Sequence, residues 1–179
     1  MNPKEHLNSA LLAEAVYPRE SGQDTFASNA VSCNVVSQLV PEARMVSGFS
    51  VKGTDGVIAF CDTYAIIIFA GTELDDLSDM HNDLDFRKVY IPGLMNGQVG
   101  KGFYSAYKAA IIRSIELLGD YYKGFAVGVK LVGHSLGATC ACLTAFHLRL
   151  RGHSVISCDT FGSPRWGTSD ATDHYDMYL

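Results

Sequence analysis

The sequence predicts a doubly wound α/β sheet, and three observations carry that prediction. Strand-like apolar runs alternate with helix-forming segments along the chain. Tyr64-Ala65-Ile66-Ile67-Ile68-Phe69 is continuously apolar, the pattern of a strand covered on both faces. Lys130-Leu131-Val132 closes another apolar run, meets Gly133-His134-Ser135-Leu136-Gly137, and gives way to helix-forming residues from Ala138 to Arg151. Strand, sharp turn and helix follow one another there without a spacer.

The remaining elements fit the same alternation. Asn2 suits an N-cap with Pro3 at the first helical position, and Leu7, Leu11, Leu12 and Ala15 mark one helix face. Pro18 to Ser28 is polar and turn-rich, and Val31 to Val40 fits either a helix or a strand. Met45 to Ser50 reads as a strand, Lys52-Gly53-Thr54-Asp55-Gly56 as a turn, and Val57 to Asp62 and Tyr64 to Ala70 as two further strands. Gly71 to Gly100 is irregular and acidic, and so long a loop in a small domain is usually functional. Phe103 to Leu118 reads as a helix with Tyr107, Ile111, Ile115 and Leu118 on one face. Val127 to Val132 is a strand, Leu136 to Arg151 a helix stopped by Gly152, and Val155 to Phe161 a strand leading into Gly162-Ser163-Pro164-Arg165.

Composition narrows the function. The 179 residues suffice for a single domain spanning 1–179, and 47% apolar with 18% charged residues is ordinary for a globular protein. A net charge of −5 provides no basic footprint, which argues against a nucleic-acid partner. Cys33, Cys61, Cys140, Cys142 and Cys158 form no C-x-x-C pair and no zinc spacing. They are expected as buried small hydrophobes in a reducing compartment, and neither metal nor cofactor is expected. No basic segment followed by an apolar stretch opens the chain, which favours the cytoplasm without establishing it. The longest apolar run, Tyr64 to Ala70, is too short to cross a bilayer, so no transmembrane segment is expected.

The pentapeptide 133–137 reads G-x-S-x-G. A serine on a tight strand-to-helix turn exposes its hydroxyl where backbone N–H groups converge, a geometry suited to acyl transfer. Ser135 is therefore the candidate nucleophile, and Gly133, His134 and Gly137 complete the elbow. The two glycines let the helix start pack close to the strand. His134 is expected to be a packed, hydrogen-bonded elbow residue rather than the base. An oxyanion hole needs the N–H of Leu136 and a second donor from the loop after an earlier central strand. Ala70-Gly71-Thr72-Glu73 is placed for that, with Thr72 as donor, although a plain strand-end turn competes on spacing alone. One such donor is worth about 3–4 kcal/mol of barrier.

Four blocks, taken together and in this order, resemble the class 3 (fungal-type) lipases: Ile68-Phe69-Ala70-Gly71-Thr72-Glu73, Val99-Gly100-Lys101-Gly102-Phe103, Gly133-His134-Ser135-Leu136-Gly137-Ala138 and Thr160-Phe161-Gly162-Ser163-Pro164-Arg165. The resemblance runs from roughly Leu7 to the end of the chain. It implies an α/β-hydrolase fold, mostly parallel with helices on both faces, and hydrolysis of carboxylic esters in lipids. It implies Ser135 as nucleophile, Thr72 and Leu136 as oxyanion donors, and a lid of residues 73–99 that makes transient contact with a lipid surface. The chain departs from the family pattern at Ala70, where Arg is usual, at Gly100, where His is usual, and at Trp166-Gly167-Thr168, where Val-Gly-Asn is usual.

In this fold the acid and then the histidine follow the serine. The resemblance implies that both lie beyond Leu179, so the domain is expected to be partial at its C-terminus. Within the chain, His174 with Asp159 or Asp170 behind it fits the order, though no motif supports the pairing. Without a base, Ser135 is a weak nucleophile. Two readings follow: an ester hydrolase of lipid or small ester substrates, or a catalytically inactive lipid-binding or regulatory relative. An acyltransferase is a third.

Overall fold

The computed structural model describes residues 3–17, 25–51, 54–71, 87–91, 95–123 and 127–178. Helix α1 (Pro3–Ala15) opens with proline at its first position, as expected, and buries Leu12, Ala13 and Ala15. Helix α2 (Thr25–Leu39) resolves the ambiguous stretch and begins inside the segment expected to be turn-rich. Its Ser and Asn content weakens helix propensity, but Ser32, Val36 and Val40 recur every fourth residue and are buried, so tertiary packing overrides propensity.

Strands β1 (Met45–Val51), β2 (Thr54–Phe60) and β3 (Tyr64–Phe69) pair antiparallel, with Val51 opposite Thr54. The turn expected at 52–56 is thus shorter: Thr54, Asp55 and Gly56 belong to β2. Gly56 serves close approach instead. A Cβ there would fall on the Phe49 ring and 2.6 Å from the Ile68 carbonyl oxygen. Strand β4 (Lys88–Tyr90) pairs with β5 (Gln98–Gly100) as a small separate hairpin inside the region expected to be irregular. Helix α3 (Lys101–Tyr122) is longer than expected; it buries Tyr107, Ile111 and Leu118, but Ile115 faces outward. Strand β6 (Gly128–His134), helix α4 (Leu136–Leu150) and strand β7 (Val155–Phe161) follow the sequence reading closely, and Gly152 has the positive φ of a helix stop. Helix α5 (Ser169–Asp176) is the last element.

The main sheet has the order β1-β2-β3-β6-β7. Only β2 runs against the others; β3, β6 and β7 are parallel. Period-two alternation divides the apolar residues between two faces. Ile58, Phe60, Ile67, Phe69 and Leu131 pack under α3 and α4, whereas Val57, Ala59, Ile66, Ile68 and Val132 pack against α1 and α2. A third core joins Met95 and Val99 of the hairpin region to Tyr107, Leu143, Phe146, Trp166 and Ala171. Helix α4 is buried nearly all round because it lies between the sheet and this third core. Helices on both faces of a mixed sheet with a parallel centre place the C-terminal ends of β3, β6 and β7 together, and Ser135 directly follows the middle one.

Candidate active site

Ser135 sits at φ 52°, ψ −123°, between the last residue of β6 and the first of α4. A side-chain-bearing residue in that region costs of order 1–3 kcal/mol and persists only where its surroundings over-determine it. They do so here. The Ser135 N–H donates to the Phe161 carbonyl at 3.0 Å, and the Ser135 carbonyl accepts from the Ala138 N–H at 3.0 Å. A Cβ on Gly133 would fall on the Gly137 carbonyl, and one on Gly137 would fall on the carbonyls of Phe69 and Ala70. The helix start is thereby held against the strand ends, with Ser135 only 7% exposed. Leu136 is the first helical residue, so its N–H belongs to the first turn, whose donors have no intrahelical acceptor.

The chain leaving β3 passes over this turn. A Cβ on Gly71 would lie 2.7 Å from the His134 carbonyl oxygen and 3.1 Å from the Ser135 Cβ. Thr72, the next residue, lies outside the described residues. His134 turns its ring toward α1, where its Nδ1 is 2.6 Å from the Tyr17 hydroxyl. The two rings meet edge to face, and a Cβ on Gly162 would lie 3.3 Å from the other imidazole nitrogen. Tyr17 also accepts a hydrogen bond from the Gly71 backbone, and burial pushes its phenol above the usual range. One hydroxyl thus joins the end of α1, the elbow and the loop beside the serine. Sequence reading missed Tyr17; nothing in α1 marks its last turn as adjacent to strand ends more than fifty residues away.

The structure does not bring Asp159 and His174 together. Asp159 lies on β7 facing α1, where its Oδ2 accepts from Ser9 Oγ at 2.8 Å and Ser157 Oγ at 3.4 Å. It borders a cavity of about 400 Å³ with Glu5, Ser9, Glu42, Tyr64 and Lys130. His174 lies on the opposite side of the sheet: its ring packs on Phe146 and Tyr178, and its Nδ1 accepts from the Asn96 N–H at 2.9 Å. Pairing the two as acid and base is thereby corrected, because strand alternation sends Asp159 to the face away from α5. His147 pairs with the Tyr107 hydroxyl at 2.8 Å, near the far end of α4. Among the described residues, no group of three His, Cys, Asp or Glu side chains could hold a metal ion.

The sequence profile of the family described as lipase (class 3) matches residues 66–178, more than half of the chain. The chain belongs to the class 3 lipases. A comparison with curated proteins finds no match. Solved lipases share the fold. The lipase of Rhizopus microsporus var. chinensis is 23% identical with a TM-score of 0.71, over 98% of this chain and 62% of that one. A Rhizomucor miehei lipase–propeptide complex is 21% identical with a TM-score of 0.70, over 99% of this chain and 57% of that one. Lip2 lipase of Yarrowia lipolytica is 18% identical with a TM-score of 0.71, over 98% of this chain and 64% of that one. This class 3 lipase chain thus spans about three fifths of the solved lipases' length. The likeness places the mixed sheet among α/β-hydrolase-type folds.

Residues 73–99 are the segment expected as a lid. Residues 72–86 and 92–94 lie outside the described residues, but the rest of the stretch is anchored. Val99 bridges to Gly167, Gln98 and Thr168 exchange hydrogen bonds, and Ile91, Met95 and Val99 are buried. At the C-terminal end of that segment, buried apolar side chains hold the backbone down. Among the described residues, no helix is long and apolar enough to cross a membrane.

Proposed function

We propose that this class 3 lipase chain carries the nucleophile and oxyanion hole of an enzyme that hydrolyses carboxylic esters of lipids. Ser135 Oγ attacks the acyl carbonyl, and the Leu136 N–H, with Thr72 as second donor, stabilises the oxyanion that forms. The supporting observation is the strained backbone of Ser135, held by Phe161, Gly133 and Gly137 at the head of α4. In one solved triacylglycerol lipase, 22% identical to this chain, a serine-protease triad forms the catalytic centre. A residue equivalent to its base is assigned to no described side chain here.

A second reading, lipid binding without turnover, draws on the engagement of His134, His147 and His174 with Tyr17, Tyr107 and the Asn96 backbone. The test is hydrolysis of a short-chain p-nitrophenyl ester by the folded chain beside Ser135→Ala. The hydrolase reading expects turnover that the substitution abolishes. Equal rates in two folded proteins would leave lipid binding, scored by vesicle sedimentation, as the activity. His174→Gln, run alongside, is expected to match the parent, since glutamine still accepts from Asn96; a loss above about a hundredfold would instead make His174 the base.

A further inference from the structure

The cavity of about 400 Å³ beside Asp159 is separate from the elbow. Residues of α1, β3, β6, β7 and the end of α2 line it, and none of residues 133–137 does. Between its ends it is apolar, with Leu12, Ile66 and Val132. The two ends carry opposite charges. At one stands Asp159, only 7% exposed, whose Oδ2 accepts from Ser9 Oγ and Ser157 Oγ. At the other, the Lys130 ammonium sits 4.6 Å from the centre of the Tyr64 ring, and the Tyr64 hydroxyl donates to Glu42.

A bulge builds the acidic end. Val129 pairs with Val155 but Lys130 with Ser157, so Ile156 is an extra residue in β7. It turns Ser157 and Asp159 toward α1, while Val155 and Cys158 pack with the core under α3 and α4. Without it, strand alternation would set Ile156 and Cys158 on the α1 face, opposite Lys130 and Val132. That apolar pair would serve packing; the bulge exchanges it for a hydroxyl and a carboxylate. A buried carboxylate is costly unless a cation meets it, and hydroxyls bring hydrogen bonds without charge. Among the described residues, no cation forms an ion pair with Asp159. Lys130 is paired two residues before Asp159 and leans the other way, toward β3. Strand spacing puts the Lys130 and Asp159 Cα atoms about 8 Å apart, and the lean carries the two charges farther from each other.

We propose that this cavity binds a short apolar peptide as a zwitterion, its ammonium on Asp159 and its carboxylate on Lys130. The ammonium donates to the Asp159 carboxylate and to a serine oxygen beside it, supplying the charge that the hydroxyls do not. The carboxylate accepts from the Lys130 ammonium, and the peptide's side chains lie on Leu12, Ile66 and Val132. Two extended residues with a hydrogen bond at each end reach about 12 Å, the length of a dipeptide held between two such charges. A cavity of this size is in the range that takes small molecules. A cation alone would leave Lys130 without an anion, and an anion alone would face Asp159. Binding here does not rest on ester hydrolysis.

The test is calorimetric titration of the whole chain, shown to be folded by near-ultraviolet circular dichroism. Three probes are used: leucyl-leucine, its N-acetyl form without the ammonium, and its amide without the carboxylate. The expected result is saturable binding of one leucyl-leucine, with each capped form weaker by about tenfold or more. Lys130→Met is expected to weaken leucyl-leucine to the level of the amide while leaving the amide itself unchanged. Asp159→Asn should do the same with respect to the acetylated form. No saturable binding of leucyl-leucine to the folded wild-type chain overturns the proposal. So does binding of either capped form as tight as that of the free dipeptide. Both of these comparisons use the wild-type chain alone, so they decide the matter whether or not the variants fold.

Discussion

The elbow and the segment after β7 both turn on glycine, but they are held in opposite ways. At the elbow, Gly133, Ser135 and Gly137 are fixed by main-chain atoms of β3, β6 and the first turn of α4. After β7, the chain from Gly162 to Tyr178 is fixed mostly by distant partners. Gln98 bonds Thr168, Asn96 bonds His174, and Phe146 packs under α5. The first arrangement is a property of consecutive residues in a defined register. The second exists only once the hairpin and α4 are in place.

The largest expected difference comes from adding one methyl group at the elbow and one, on Gly97, against the segment after β7. Gly137→Ala places a Cβ on two backbone carbonyls of the central strand end, and neither can yield without breaking the β3–β6 register. A loss of about 4 kcal/mol or outright failure to fold is expected. Gly97→Ala also strains a positive φ and crowds Ala171 and Thr168, but these belong to a short outer helix and its cap. There the loss is expected to be about 1–2 kcal/mol. Urea midpoints measure both, and equal losses would erase the contrast.

A smaller effect separates the elbow's own backbone restraints from the one supplied by α1. Tyr17→Phe keeps the ring and removes the hydroxyl that joins His134 and Gly71. The expected cost is about 1–2 kcal/mol, since a part-buried imidazole nitrogen and a backbone N–H lose their partner. On the proposed function, ester hydrolysis should fall in kcat more than it changes KM, because the Gly71 loop proposed to carry an oxyanion donor is displaced. An unchanged urea midpoint together with unchanged kcat would show that Tyr17 merely fills space.

The same contrast explains what could be read from the sequence. The elbow, β3, β6, α4 and β7 were legible because apolar alternation, a continuous apolar run and paired glycines all report local geometry. Helix α2 was ambiguous because its Ser and Asn residues depress propensity, and its buried Ser32–Val36–Val40 face acquires meaning only against the sheet. Gly56 was misread as a turn residue because a glycine serving close approach looks, in sequence, like one serving a positive φ. Ile115 was grouped with the face that Tyr107, Ile111 and Leu118 bury because a four-residue spacing of apolar side chains does not say where the buried arc ends. The acid and base could not be paired from chain order, since strand parity decides which face Asp159 takes and α5 docks on the other. Tyr17 was invisible for the same reason as the hairpin: its significance is a long-range contact.

The smallest effect lies at the far end of α4, where the helix reports on stability without touching the elbow. Burial first, then the positive charges of Arg151 and His153, hold His147 below its ordinary value of 6.5, and its Nδ1 faces the Tyr107 hydroxyl. The folded state therefore keeps this imidazole neutral at a pH where the unfolded chain has begun to bind a proton. Where the unfolded state binds more protons, stability rises with pH. The contribution is fully present above 6.5 and is lost as pH falls through that value toward the lower folded one. His153 shifts the same way, by burial and by Arg151. The urea midpoint should thus decline from about pH 7 to pH 5, and His147→Gln should make that decline shallower while leaving the ester-hydrolysis ratio to wild type constant across the range. Superimposable midpoint curves would remove His147 from the account. A pH-dependent activity ratio would show that the two ends of α4 are coupled after all.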